Sequence, residues 1–164
     1  ACGTWTFESG TTEGWVHDVT DNDAIESIDV SNDQDRGGSL AVQIQTRSSG
    51  TSYAWLSVRP CSGNSGPEQN YMDLYIRVVP SGGSPVLTAP DQVRAWVRWA
   101  RSDGTGYHAG DAFDINGSQW TYVPDSVYHD STQQKAVRYR IEMAFSVPNW
   151  TGTVYIDDVT LTAR

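Results

Sequence analysis

Residues 137–147 read VRYRIEMAFSV, with Val137, Tyr139, Ile141, Met143 and Phe145 alternating with Arg138, Arg140, Glu142 and Ala144. A period of two sends these sets to opposite faces of an extended segment, whereas a helix would scatter them around its axis. The alternation recurs at 39–46 (SLAVQIQT), 52–59 (SYAWLSVR), 71–79 (YMDLYIRVV) and 93–100 (VRAWVRWA). Shorter or weaker runs lie at 4–8, 15–19, 107–115, 120–123 and 153–162. The breaks between them are rich in Gly, Ser, Pro and Asn, as in RSSGT, PSGGSP and RSDGTG. Residues 21–38 are polar and acidic and read as loop, with a possible short strand at 24–30. About nine or ten short strands and no amphipathic helix predict an all-β fold, a β-sandwich or jelly roll of two antiparallel sheets. One face of each strand fills the space between the sheets.

The 164 residues suit one domain, here read as residues 1–164 excised from a larger secreted protein. No signal peptide is present, so it has been removed or the chain is a piece. A net charge of -9 argues against nucleic-acid and anionic-membrane partners. No apolar run approaches the ~20 residues of a membrane helix. Cys2 and Cys61 fit one disulfide in an oxidising, extracellular compartment. The rival reading makes Cys2 a lipid-attachment cysteine and leaves Cys61 unpaired.

The last strand, 153–162 (TVYIDDVTLT), alternates through Ile156, slips by one at Asp157–Asp158, and resumes. Such a slip marks a bulge or a kink that holds an ion. The first strand ends in Glu8. If the chain ends pair, Glu8 and Asp157 would supply two hard oxygen donors, the beginning of a calcium site. The alternative is that Asp157 and Asp158 are solvated and Glu8 merely sits at a strand end.

Three stretches together, WTFESGTTEGW (residues 5–15), RGGSLAV (36–42) and VYIDDVTL (154–161), resemble carbohydrate-binding modules of the β-jelly-roll kind, the group that includes families 4, 11, 16, 22 and 27. The likeness runs from Trp5 to Leu161. It implies non-catalytic binding of a β-linked plant polysaccharide chain, such as a β-glucan, xyloglucan, mannan or xylan. The module would be a monomer targeting a covalently linked glycoside hydrolase. It also implies a structural calcium held by Glu8, Asp35 and Asp157, with backbone carbonyls from Thr6 and Gly38. Asp33 is close enough in sequence to replace Asp35.

Sugar rings stack on flat aromatic faces, and planar polar groups pair with their hydroxyls. The chain has seven Trp and eight Tyr against three Phe. Strand parity puts Tyr53, Trp55, Tyr75 and Trp96 outward, among Asp73, Arg77, Arg94, Arg98, Arg140 and Glu142. If they share a sheet, Tyr53, Trp55, Tyr75 and Trp96 form an aromatic floor with polar sides. In a sandwich, consecutive strands often belong to different sheets, and the alternative places Trp96 on the convex side or over the core edge. Arg77, Arg94, Arg98, Arg138 and Arg140 suit either a uronic-acid carboxylate or cross-strand ion pairs.

A glycosidase needs two carboxyls across a cleft, and only Glu142, with Asp73 as a conceivable partner, is placed for that. Motifs for other hydrolytic chemistry are missing from the sequence. A small polysaccharide-degrading enzyme is therefore the alternative function, and a purely structural or adhesive domain the third.

Overall fold

The computed structural model describes residues 3–34, 36–59, 70–101, 108–109, 111–127 and 136–163. They contain twelve strands: β1 (Thr4–Trp5), β2 (Val16–His17), β3 (Ile25–Gln34), β4 (Gly37–Gln45), β5 (Ser52–Val58), β6 (Asn70–Pro80), β7 (Val93–Arg101), β8 (His108–Ala109), β9 (Phe113–Asp114), β10 (Thr121–Val127), β11 (Ala136–Phe145) and β12 (Thr151–Ala163). Two six-stranded antiparallel sheets result. One runs β10-β6-β12-β4-β3, with β1 also on β12; the other runs β2-β5-β11-β7-β8, with β9 also on β7. The expected sandwich is the observed fold.

The alternation explains the core. Leu40, Val42, Ile44, Met72, Leu74, Ile76, Val78, Val154 and Ile156 face inward from the β12 sheet. They meet Ala54, Leu56, Val58, Val93, Ala95, Val97, Tyr139, Ile141, Met143 and Phe145 from the β11 sheet. Each fully buried Leu, Ile, Val or Met contributes about 1.5–3 kcal/mol. Tryptophans seal the sandwich. Trp5 meets Trp15 edge to face at 5.4 Å, and Trp150 stacks on Phe145 at 5.8 Å while donating its indole N–H to the Pro85 carbonyl at 2.8 Å. Gly152 fits only because it lacks a side chain: a Cβ there would lie 2.2 Å from the Trp150 ring.

Three expectations are corrected. The polar segment at 21–38 is mostly strand, because β3 pairs with β4 from Ile25 to Gln34. Hydrogen bonding to a neighbour holds an edge strand whose own sequence lacks alternation. The run at 4–8 pairs only over Thr4 and Trp5. It then turns at Phe7, whose φ is 58°. The weak run at 107–115 contributes two short pieces, β8 and β9, each laid against β7.

The slip anticipated in the last strand is a bulge. The β12–β6 register shifts between Asp157 and Thr160, and Asp158 has φ 47°. On the other side of β12, β4 pairs as far as Ile156 and β1 takes over at Val159. The bulge therefore sits where the chain ends and the start of β4 converge.

Candidate functional site: an aromatic and ionic cradle on the β11 sheet

Strand β11 lies between β5 and β7, and the two registers build a grid of outward side chains. Its central row is Trp55, Glu142 and Trp96; one flanking row is Tyr53, Ala144 and Arg94, and the other is Ser57, Arg140 and Arg98. Strands about 4.8 Å apart put the Trp55 and Trp96 backbones about 10 Å apart on either side of Glu142. Glu142 is 0% exposed, Ala144 5% and Arg140 7%. Tyr53, Trp55, Trp96 and Arg98 are half-buried and stand above them, and Arg94 is exposed. The surface is thus a depression floored by β11 and walled by aromatics and arginines.

Glu142 organises this depression. Its Oε1 accepts the Trp96 indole N–H at 2.8 Å and lies 3.4 Å from Arg98 Nε. Its Oε2 accepts from Arg140 Nη1 at 3.0 Å. Arg140 also donates from Nε to Asp18 at 2.9 Å, and its guanidinium lies 4.5 Å from the centre of the Trp55 ring. Buried charge is tolerated when it is paired and hydrogen-bonded, and this network meets that requirement. One carboxylate therefore fixes one indole directly and the other through a cation–π contact. Trp55 Nε1 is buried and has no hydrogen-bond partner among the described residues. Tyr53 is held through its backbone, bonded to Asn22 and Ala24 at 2.9 and 2.8 Å.

Asp18 was not singled out in the sequence. The parity of the segment at 15–19 was the available signal, since Val16 pairs with outward-facing Ser57 and Asp18 is two residues on.

Of the anticipated ligand residues, Tyr53, Trp55, Trp96, Arg98, Arg140 and Glu142 converge here. Tyr75 and Arg77 do not: both lie on β6, in the opposite sheet. Parity was read correctly, but it cannot say which sheet a strand joins. Tyr75 contacts Tyr122 at 5.2 Å between ring centres and carries the Arg36 guanidinium 3.7 Å above its ring. Arg77 donates to the Ser118 carbonyl at 2.7 Å. Asp73 is also on β6, which removes it as a catalytic partner for Glu142.

The anticipated calcium residues meet in part. Glu8 Oε1 accepts the Gly38 amide at 2.9 Å. A Cβ on Gly38 would lie 2.4 Å from the Phe7 carbonyl oxygen, so only glycine permits this approach. Asp157 is 1% exposed, and its Oδ2 has no hydrogen-bond partner. Arg36 pairs with Asp158 and reaches only to 3.7 Å from Asp157 Oδ2. Burial pushes the Asp157 carboxyl up to about 6; Asp158 and Glu8 push the same way, against the Asp158 amide and Arg36. A buried, unpartnered carboxylate oxygen beside a second carboxylate fits a hard cation. Among the described residues no three His, Cys, Asp or Glu side chains group around one metal position. Asp35, Cys2 and Cys61 lie outside the described residues, as does the disulfide expectation. Thr6 is half-buried just beyond β1.

With this geometry in hand, the chain can be set beside known proteins. No family model and no curated protein sequence matches it. Solved structures do. One, from work on the promiscuous specificity of carbohydrate-binding modules of the β-sandwich superfamily, superposes with TM-score 0.70 at 14% identity, covering 98% of this chain and 61% of that one. The fold is that of the β-sandwich carbohydrate-binding modules. TmCBM27, a module studied for specific mannan recognition, gives TM-score 0.66 at 14% identity over 98% of this chain and 95% of its own. The CBM22-1–GH10 modules of Clostridium thermocellum endo-1,4-β-D-xylanase 10B, complexed with xylohexaose, give TM-score 0.64 at 14% identity, covering 98% of this chain and 28% of that one.

Proposed function

We propose that this chain is a non-catalytic carbohydrate-binding module that holds a β-linked polysaccharide chain, a β-glucan or a hemicellulose, in the depression over β11. The observation that carries the reading is the central row: a buried glutamate between two half-buried indoles, bonded to one and linked through Arg140 to the other. Indole faces would take the apolar side of pyranose rings, and the surrounding arginines, held in place by the buried Glu142, would pair with hydroxyls. Mannan and xylohexaose are named for two structural neighbours, which supports the ligand class.

Glu142 argues against hydrolysis. Its oxygens are engaged by Trp96, Arg98 and Arg140, and Asp73 lies on β6 in the opposite sheet. A catalytic carboxyl pair has to face one cleft.

We further read the Glu8–Asp157 cluster as a structural calcium site, with Asp35 completing the side-chain set and Thr6 and Gly38 offering backbone oxygen. The ion would neutralise charge at the bulge and tie β12 to the start of β4. We read the chain as a monomeric, secreted module with a Cys2–Cys61 disulfide, attached to a glycoside hydrolase; the neighbour that carries a GH10 module supports the attachment. Its function would be to raise the local concentration of the enzyme at its polymer.

Affinity electrophoresis against mixed-linkage glucan, xyloglucan, xylan and glucomannan tests the function, with reducing-sugar release assayed alongside. Retardation without release, lost in Trp55→Ala, is the expected result. Product release, or a folded protein that none of the polymers retards, overturns it.

A further inference from the structure

We infer that the cradle continues into a second, anion-binding subsite: a pocket beside it that takes a carboxylate-bearing sugar substituent, of the uronic-acid class, on the bound polysaccharide. This rests on the polysaccharide reading above.

The pocket has a volume of ≈ 460 Å³ and is lined by Trp5, Glu13, Val16, Ser57, Arg59 and Arg138, among others. Small-molecule sites span about 300–1,000 Å³, so there is room for a sugar ring. Its position joins it to the cradle. Ser57 pairs with Val16 on one side and Arg140 on the other, and it is two residues from Trp55, or about 7 Å along β5. A substituent branching from a chain seated on Trp55 would reach it.

Charge decides the kind of substituent. The chain as a whole carries -9. Yet along β5, β11 and β7 the outward side chains include Arg94, Arg98, Arg138 and Arg140, with Arg59 just beyond β5, against one carboxylate, Glu142. The arginines are not equivalent. Arg98 and Arg140 hold Glu142, and Arg94 lies 4.0 Å from Asp91. Arg138 reaches Asp18 only at 3.4 Å, with a side chain 52% exposed, while Arg140 takes the same Asp18 at 2.9 Å. Arg59 is exposed and makes no ion pair among the described residues. Among the lining residues the two arginines are set against one carboxylate, Glu13, which accepts a bond from Ser9 at 3.1 Å, while Asp18, outside the lining, takes Arg138 at 3.4 Å. Guanidinium forks match carboxylates bidentately, and Trp5 and Val16 supply apolar surface for the ring.

The test presents matched polymers with and without carboxylates in affinity electrophoresis. The pairs are glucuronoxylan with its carboxyl-reduced form, and lightly C6-oxidised glucan and glucomannan with the untreated polymers. The expected result is about three- to tenfold tighter retention of a carboxylated member at low salt, shrinking as salt rises. In Arg59→Gln/Arg138→Gln the ratio within the pair falls to about one, and in Arg59→Lys/Arg138→Lys part of it returns. Equal or weaker retention of the carboxylated members overturns the subsite and leaves the polysaccharide reading standing. So does a preference unchanged in the Gln double variant. Retention of no polymer overturns both.

Discussion

Trp96 donates its indole N–H to Glu142 at 2.8 Å across the β11–β7 register, and the β11–β5 register sets the same Glu142 opposite Trp55. A buried carboxylate thereby positions an aromatic wall, and under the proposed function fold stability and ligand affinity would depend on the same group.

Glu142→Gln keeps the shape and a carbonyl oxygen for Trp96, but removes the anion from between Arg98 and Arg140. Breaking a buried ion pair from one side costs about 3 kcal/mol, which for a domain of this size lowers Tm by about 6–12 °C. Polysaccharide affinity should fall at least tenfold alongside. Calorimetric melting and isothermal titration check both, and an unchanged Tm would mean that the arginines do not need Glu142.

The two sheets should separate in a pair of variants. Trp55→Ala should weaken polysaccharide binding by tenfold or more, because it removes a stacking face. Tyr75→Ala, on the opposite sheet, should leave affinity within about twofold. Equal losses from both would contradict the location of the site.

The Asp157 carboxyl gives the Glu8 cluster a distinctive pH dependence. Its pKa is about 6 in the fold against 3.8 ordinarily, so between those values the folded state holds a proton that the unfolded chain has released. Stability from this group is therefore present below about pH 4 and is lost as pH rises to 6. In chelator, Asp157→Asn should melt higher than the parent protein at pH 7, with the gap closing towards pH 4. Calcium should reverse the order at pH 7, because it needs the ionised carboxylate. A gap that does not vary with pH would remove Asp157 as its source.

Gly152→Ala tests the seal at the sandwich end. The added methyl would meet the Trp150 ring at 2.2 Å and the Val79 carbonyl at 2.5 Å. Overpacking against fixed backbone costs about 1–3 kcal/mol. Urea unfolding should give a lower midpoint at an unchanged slope; a loss below about 0.5 kcal/mol would show that β12 shifts freely.

What one strand does along its own length was legible in the sequence. The period of two named the core residues of β4, β5, β6, β7 and β11, because burial of one face is written into alternate side chains, but not Phe7, Ala24, Leu87 or Ile115, which are buried outside those alternating runs. The slip at Asp157–Asp158 marked the bulge for the same reason. The outward aromatics could be identified but not assembled, since a strand's parity says in or out and never which of two sheets it joins. Long-range pairing decided that β5, β11 and β7 are neighbours and that β6 lies behind them. It gathered Trp55, Glu142 and Trp96 into one row and sent Tyr75 and Arg77 to the other side. The Asp18–Arg140 pair, the Arg36–Asp158 pair and the meeting of Arg59 with Arg138 at one pocket belong to that level. Each depends on residues far apart in the chain being brought together by hydrogen-bonded registers and a shared core, and no local pattern encodes such distances.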